Sequence, residues 1–394
     1  MSMYVEREIG DKLKDYAEQF PVVYLTGPRQ SGKSTLLKHS FPGYAHVNLE
    51  EKDVREFAQE DPRGFLGELG GNAVIDEAQY APDLFSYIQP TVDERGEAGQ
   101  FILSGSQNFL LMRNISQSLA GRVGILSLLP FSLREMESAD IGESDADSLM
   151  LGGFYPRRVA KSLISGDYYK NYIKTYVERD VRLETGVQDL DRFSSFMHIC
   201  AQGVGTPLNL SGIGAAVKAD SRTVASWLNI LEESYIIFRL KPYTRKDVPR
   251  YSKTPKLYFY DTGLLCSLLG IGSGGTLSTH RLRGMVFENM VIADYFKSVF
   301  NAGGFPQDSV CFWRDGSDRD KEIDMIVEES DRLKLYEIKS SETARGKYAD
   351  NLGLFEKNSE GVRCEKNVIY NGPNRLTKNG TAYWPFKGWQ HIGK

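Results

Sequence analysis

Apolar positions along the chain change period several times, and each change predicts a new element. Val5, Ile9, Leu13 and Tyr16 recur at helical spacing, so residues 5–19 read as an amphipathic helix that Pro21 ends. "VVYLTG" (22–27) is a short apolar strand, followed by a helix through Leu36 and Leu37. "YAHVNLE" (44–50), "NAVIDEAQ" (72–79) and "QFILSGS" (100–106) read as further strands, separated by helical stretches over 51–60 and 83–94. Strands alternating with helices predict an α/β unit with a parallel sheet covered on its faces, here residues 1–140.

Residues 134–148, "REMESADIGESDADS", break the pattern with six acidic residues, one arginine and no apolar period. They read as an exposed connection closing the first unit. Residues 167–204 are helical in pattern. Residues 209–234 read as two helices joined by the tight turn "KADS", and "YIIFRLKPY" and "PKLYFY" as two strands. Two helices and a two-stranded wing predict a winged-helix-like region over 150–260. From Met285 an amphipathic helix leads into three strands, "SVCFWRD", "KEIDMIVEE" and "RLKLYEIKSS". A helix over 343–357 and the strand "KNVIYNG" follow, giving αβββαβ within residues 261–394.

A length of 394 residues suits two or three such units. Hydrophobic residues at 41% and charged residues at 25% are ordinary for a globular protein, and the net charge of −4 shows no global basic field. The four cysteines, Cys200, Cys266, Cys311 and Cys364, form no CxxC pair, which argues against a zinc ribbon or a disulfide framework. The charged start is no signal peptide, and no apolar run approaches the roughly 20 residues of a membrane span. The expectation is a cytoplasmic protein with no membrane partner.

The strongest chemical signal is "GPRQSGKST". Gly27 to Ser34 fit G-x-x-x-x-G-K-[ST] between a strand and a helix, the context a phosphate-binding loop requires. Gly27 and Gly32 allow the tight turn of Gly27-Pro28-Arg29-Gln30-Ser31-Gly32, and the N–H groups of Arg29, Gln30, Ser31 and the helix start through Thr35 face phosphate oxygens. Lys33 reaches the β- and γ-phosphates, and Ser34 offers a hydroxyl to Mg²⁺. Asp76 ends the strand "AVID" and faces the same metal, and Glu77 polarises the attacking water, with Gln79 or Glu50 as the alternative. In "LSGSQ", Ser104, Ser106 or Gln107 either sense the γ-phosphate or form a polar turn. Arg122 in "LAGRV" either reaches a neighbour's nucleotide or pairs with the acidic stretch.

Residues 239–256 hold Arg239, Lys241, Arg245, Lys246, Arg250, Lys253 and Lys256 against one acid, Asp247. With Arg222 on the second helix, this array either contacts a phosphate backbone or is a solvated loop. In "LYEIKSS", Glu337 and Lys339 lie two apart on a strand and so share a face. They either pair with each other or serve a site. Asp324 on the preceding strand and Glu288 on the helix complete a set that resembles the core of restriction-type nucleases. There, Asp324 and Glu337 supply hard oxygen ligands for Mg²⁺, and Lys339 offsets charge on the phosphate.

Taken together, "VIDEAQ", "LSGSQNFLL", "SLAGRVGIL", "LLPFSLRE", "YVERDV", "KTPKLYFYDTGLL", "FENMVI", "EIDMIVEE" and "YEIKSSET" resemble a family of prokaryotic P-loop ATPases of the AAA+ type. That family carries an N-terminal "GPRQxGKS/T" ATPase and an uncharacterised C-terminal domain resembling the PD-(D/E)xK nuclease fold. The proline–aspartate pair of that fold is absent before Asp324, where Glu322-Ile323 stand instead. The resemblance implies nucleotide binding at Gly27–Ser34 with Asp76 and Glu77, and nuclease-type positions at Glu288, Asp324, Glu337 and Lys339. It leaves three readings: an ATP-hydrolysing protein acting on nucleic acid, DNA before RNA; a Mg²⁺-dependent nuclease gated by ATP; and an ATP-dependent assembly scaffold. A homo-oligomer is compatible with each.

Overall fold

The computed structural model of the chain describes residues 4–105, 118–141, 143, 145–177, 189–244, 254–316, 318, 320–359 and 361–389. The first helix, Ile9–Gln19, turns Ile9, Leu13 and Ala17 inward and stops before Pro21. Strand β1 (Val22–Thr26) is buried at every position and lies between β4 (Phe101–Gly105) and β5 (Val123–Ser127). With β2 (Ala45–Asn48) and β3 (Ala73–Asp76) the order is β2-β3-β4-β1-β5, all parallel. Side chains alternate across the sheet: Val22 and Tyr24 enter one core, Val23 and Leu25 the other. A parallel sheet covered on both faces explains why its strands read as unbroken apolar runs.

The acidic stretch is the exposed connection its composition suggests only in part: Glu137, Asp140, Glu143 and Asp145 are exposed, but its first turn is not. Ser132 caps the helix Leu133–Ser138, and Glu135 closes a capping box with it. Glu135 is buried and accepts from Arg7 Nε at 2.8 Å. The remaining guanidinium nitrogens of Arg7 donate to the carbonyls of Ser31, at 2.8 Å, and Leu129, at 2.7 Å. Composition counts charges, whereas one of these acids is a cap residue with a buried partner.

The middle helices Leu190–Gln202, Leu210–Val217 and Ser221–Glu233 pack through Phe193, Phe196 and Trp227. Strands β6 (Ile237–Pro242) and β7 (Lys256–Phe259) form the expected antiparallel pair. They are not a free wing. Lys241 and Pro242 continue into parallel pairing with β8 (Val310–Arg314). The hairpin is thereby the edge of one sheet, β12-β13-β11-β10-β9-β8-β6-β7. Its other strands are β9 (Glu322–Glu328), β10 (Leu333–Lys339), β11 (Cys364–Tyr370), β12 (Leu376–Lys378) and β13 (Thr381–Pro385). The division expected at residue 260 therefore falls inside a hydrogen-bonded sheet.

The order after it is the helix Arg283–Asn301, then β8, β9 and β10, the helix Asp350–Asn358, and β11. This matches the αβββαβ pattern, with β12 and β13 added. The helix Arg283–Asn301 buries five polar side chains, and each has work. Asn289 brackets the backbone of Phe259 with bonds of 2.7 and 2.8 Å. Asp294 accepts from the N–H of Leu133 at 2.7 Å, and Lys297 donates to the carbonyl of Phe131 at 2.9 Å. Burial holds the Lys297 ammonium down to about 8. Asn301 donates to Glu8 at 3.3 Å, and Glu288 enters the groove described below. Through these bonds the C-terminal part is seated on the residues that frame the phosphate loop.

Removing one partner of a buried ion pair strands the other in the core. Arg7→Met should therefore lower stability by roughly 3–5 kcal/mol in denaturant melts, and Arg7→Met with Glu135→Met should recover much of that loss. Equal melts for the single variant and the wild type would remove the pair from its structural role.

Candidate nucleotide site and carboxylate groove

At the carboxyl ends of β1 and β3 the chain turns into the loop 27–32. Gly27 has φ +147°, and a Cβ there would stand 2.1 Å from the carbonyl oxygen of Leu128. Gly32, at φ +97°, opens the helix Lys33–Ser40. Both positions need glycine for the backbone itself. Lys33 is buried, and its Nζ donates to the carbonyls of Gly27 at 2.9 Å and Pro28 at 3.0 Å. Arg29 and Gln30 meet the middle region: Tyr172 donates to the Arg29 carbonyl at 3.4 Å and Tyr168 to Gln30 Oε1 at 3.0 Å. The loop faces a cavity of about 560 Å³ in which Ser34, Thr35, Glu50 and Glu77 meet Arg157 and Lys161. The last two were not singled out by sequence. Only the basic run "PRRVAK" carried a signal for them, since the long-range fold brings them to the loop.

Asp76 ends β3 and is buried. Its carboxylate accepts from the N–H of Glu77 at 3.1 Å and from the Ser104 hydroxyl on β4. Glu77 has φ +56°, a left-handed conformation unusual for glutamate, and it accepts from Gln79 Nε2 at 2.5 Å. Of the residues in "LSGSQ", Ser104 stands against Asp76, and Ser106 and Gln107 lie outside the described residues. Within the single chain Arg122 does not pair with the acidic stretch. Its guanidinium grips Asp93 through two bonds of 2.5 and 2.8 Å, away from the cavity and from the acidic stretch. Asp93, an exposed carboxylate on the helix Leu84–Arg95, is nearer than the acidic stretch.

The second site lies in the large sheet. In the antiparallel pair of β9 and β10, Met325 faces Tyr336, so the next step sets Asp324 against Glu337. Leu333 and Leu335 enter one core and Tyr336 and Ile338 the other, the alternation the sequence shows. Lys339 Nζ lies 2.6 Å from Glu337 and 3.5 Å from Asp324. These three residues and Glu288 line one groove of about 630 Å³. Glu337 and Lys339 thus pair with each other and also face a site.

Groups that sequence reasoning assigned elsewhere or missed line the same groove or pack behind its carboxylates. Lys256, expected among the phosphate-contacting cations of a wing, is 1% exposed and paired with Glu322 and, at 3.6 Å, with Glu288. Tyr258 donates to Glu288 at 2.6 Å, and Arg314 lies 3.3 Å from Glu322. Arg239 of the same basic segment is held by Glu232 at 2.9 Å. Arg222 is exposed at the start of its helix, and Arg245, Lys246, Arg250 and Lys253 lie outside the described residues. The basic array is therefore smaller than composition suggests: strand alternation turns Lys256 inward, and a helix carboxylate neutralises Arg239.

Burial, then the neighbouring Asp324 charge, pushes Glu288 up to about 7 and Glu337 up to about 8. Burial opposes the charge on Lys339, but Asp324 and Glu337 outweigh it and hold the ammonium well above its ordinary range. One carboxylate oxygen of Glu337, Oε2, is buried and has no hydrogen-bond partner. Among the described residues, no three carboxylate, imidazole or thiolate side chains converge as a metal-binding group. Mg²⁺ needs only one or two protein carboxylates when substrate phosphates complete its shell, so Asp324 and Glu337, with the orphaned oxygen, would suit that ion.

A carboxyl whose pKa is raised on folding binds its proton more tightly in the folded chain. Its stabilising contribution is full below about 4.5 and is lost as pH rises through about 7 to 8. Glu337→Gln should flatten this dependence: between about pH 5 and pH 9 the variant's Tm should fall less than the wild type's, with the variant the more stable at the alkaline end. Parallel curves would show that Glu337 is ionised across the range.

Three family models match successive stretches of the chain. Residues 19–137 match the family described as AAA domain, while residues 143–274 and 283–389 match two domains of unknown function, DUF8612 and DUF4143. The uncharacterized protein Rv2008c of Mycobacterium tuberculosis is 31% identical over 346 residues, 86% of this chain and 75% of the relative. An uncharacterized protein of Haemophilus influenzae is 22% identical over 250 residues, 60% of this chain and 58% of its own. Among solved structures, the Walker-type ATPase PABY2304 of Pyrococcus abyssi is 18% identical, with 67% of this chain and 96% of that one covered at a TM-score of 0.47. AMPPCP-bound DnaA from Aquifex aeolicus is 15% identical, covering 57% and 86%, at a TM-score of 0.29. The N-terminal unit is a P-loop ATPase domain of the AAA type. Among the described residues no helix is long and apolar enough to cross a membrane.

Proposed function

The chain belongs to the family of the mycobacterial protein Rv2008c, and on that premise we propose that it binds and hydrolyses ATP and acts on nucleic acid, DNA before RNA, through its C-terminal groove. The observation that carries the ATPase reading is the convergence of the glycine loop, Lys33, Ser34 and Glu77 on one cavity. Loop N–H groups and Lys33 take the β- and γ-phosphates, Lys33 exchanging its two carbonyl acceptors for phosphate oxygens. Ser34 and Asp76 would hold Mg²⁺, which when bound neutralises charge on those phosphates. Glu77, fixed by Gln79, orients the attacking water and accepts its proton. Arg157 and Lys161 add positive charge across the cavity from the loop.

The orphaned Glu337 Oε2 beside Lys339 supports a second reading, a divalent-cation-dependent phosphodiesterase gated by ATP. Asp324 and Glu337 would hold the cation, which supplies charge neutralisation at the phosphate. Lys339 lies where negative charge develops on the reacting phosphoryl group. Glu288 borders the same groove and accepts from Tyr258. DNA nicking that needs Mg²⁺ or Mn²⁺ and is lost in Glu337→Gln would select this reading over the first.

Lys33→Ala should weaken ATP binding roughly 100-fold or more without loss of fold, since charge-assisted contacts to phosphate are among the strongest single bonds. Glu77→Gln should keep ATP binding and lower turnover by roughly 100-fold or more. Both are read by calorimetry and phosphate release. ATP turnover measured with and without single- and double-stranded DNA tests the leading reading, for which stimulation is expected. Oligomers that form with ATP and show no turnover would replace it with an assembly scaffold.

A further inference from the structure

Lys256 does not belong to either of the roles its sequence context offers. It stands on β7, in the hairpin read as a wing, yet its side chain is 1% exposed and lies behind the carboxylate groove, against two of the acids that line it. There it meets Glu322 and Glu288, the second at 3.6 Å, and lies 5.1 Å from the ring centroid of Phe312. Glu288 is 3% exposed, and the Tyr258 hydroxyl donates to its carboxylate at 2.6 Å. On the far side of Asp324, Lys339 pairs with Asp324 and Glu337 in the same manner. The groove therefore divides into two acidic halves, each with an ammonium group between its carboxylates.

The two halves differ in how their cation is held. Lys339 is one-third exposed in its side chain, and its partner Glu337 keeps one buried oxygen without a bond. An ion arriving with substrate finds an acceptor there and can turn Lys339 outward. Lys256 has no such freedom. Its stem is walled by the sheet, the backbone of β7 is bridged to Pro207 on the other side, and Glu322 is also tied to Arg314 at 3.3 Å. Carboxylates this deeply buried need a cation, and a hard divalent ion or an ammonium group meets the same need.

We propose that the ammonium of Lys256 permanently fills the cation position between Glu288 and Glu322, so that the groove takes at most one divalent ion, at Asp324 and Glu337. The single ion at Asp324 and Glu337 rests on the nuclease-type reading above. The assignment of Lys256 as the occupant of the other half does not. It places β7 behind the groove and makes Lys256 a positioning residue for Glu288.

Calorimetric titration of the full chain with MnCl₂, without nucleotide or nucleic acid, tests this by the number of ions bound. Lys256→Met, which keeps the aliphatic stem and removes the charge, should bind one ion more than the wild type. Lys256→Arg should bind the same number as the wild type. An equal count for Lys256→Met and the wild type overturns the proposal, as does an extra ion in Lys256→Arg. The wild-type count is a separate readout. A wild type that binds no ion, beside a Lys256→Met variant that binds one, ends the metal-dependent reading and leaves the Lys256 assignment standing. If Lys256→Met is poorly folded without metal, its melting temperature should rise on adding millimolar MnCl₂ by more than the wild type's. Failure of Mn²⁺ to recover the fold would show a purely structural lysine and overturn the proposal.

Discussion

The guanidinium of Arg7 is the point on which the arrangement turns. It is buried, and three of its nitrogens reach three separate stretches of chain: the carboxylate of Glu135, the carbonyl of Ser31 in the phosphate loop, and the carbonyl of Leu129 after β5. A buried charge is tolerated only when paired and fully bonded, so these contacts cannot relax independently. Glu135 also caps its own helix and accepts from the N–H of Glu8 at 3.0 Å, and Glu8 in turn accepts from Asn301. The phosphate loop and the helix Arg283–Asn301 are thereby fastened to the same short network.

That helix sets the second constraint. Its buried face carries polar groups along its length, each matched to a backbone or side-chain partner, and Glu288 at one end reaches the groove. Asp294 and Lys297 hold residues 131–133, which lead into the capping box. One rigid element therefore joins the rim of the nucleotide cavity to the carboxylate groove. Any shift of the segment carrying Phe131 is transmitted through bonds that the low-polarity interior makes hard to exchange for water.

The groove itself is a balance of charges that no member could sustain alone. Glu288, Glu322, Asp324 and Glu337 crowd together, and burial adds to their mutual repulsion. Lys256 and Lys339 offset this, and both ammonium groups are held above their ordinary range by the acids around them, against the cost of burial. The result is a polar interior in which position is set by pairing.

Local chemistry made much of this legible in the amino-acid order. Four of the five parallel strands, the glycine loop and the helix after it, the αβββαβ order and the face shared by Glu337 and Lys339 all follow from periodicity, turn residues and the two-residue alternation of a strand. Those signals act within a few residues, and tertiary packing had no reason to override them. What the tertiary structure decided was partnership. Glu135 looked like one of a run of solvated acids until Arg7, far away in sequence, gave it a buried partner. Lys256 looked like one of a run of surface cations until the pairing of β6 with β8 drew its hairpin into the large sheet and turned it toward Glu288 and Glu322. Arg122 found Asp93, and Arg157 and Lys161 came to face the phosphate loop from more than a hundred residues away. Charge is written in composition, but whether it is solvated or paired depends on which distant segment folds against it.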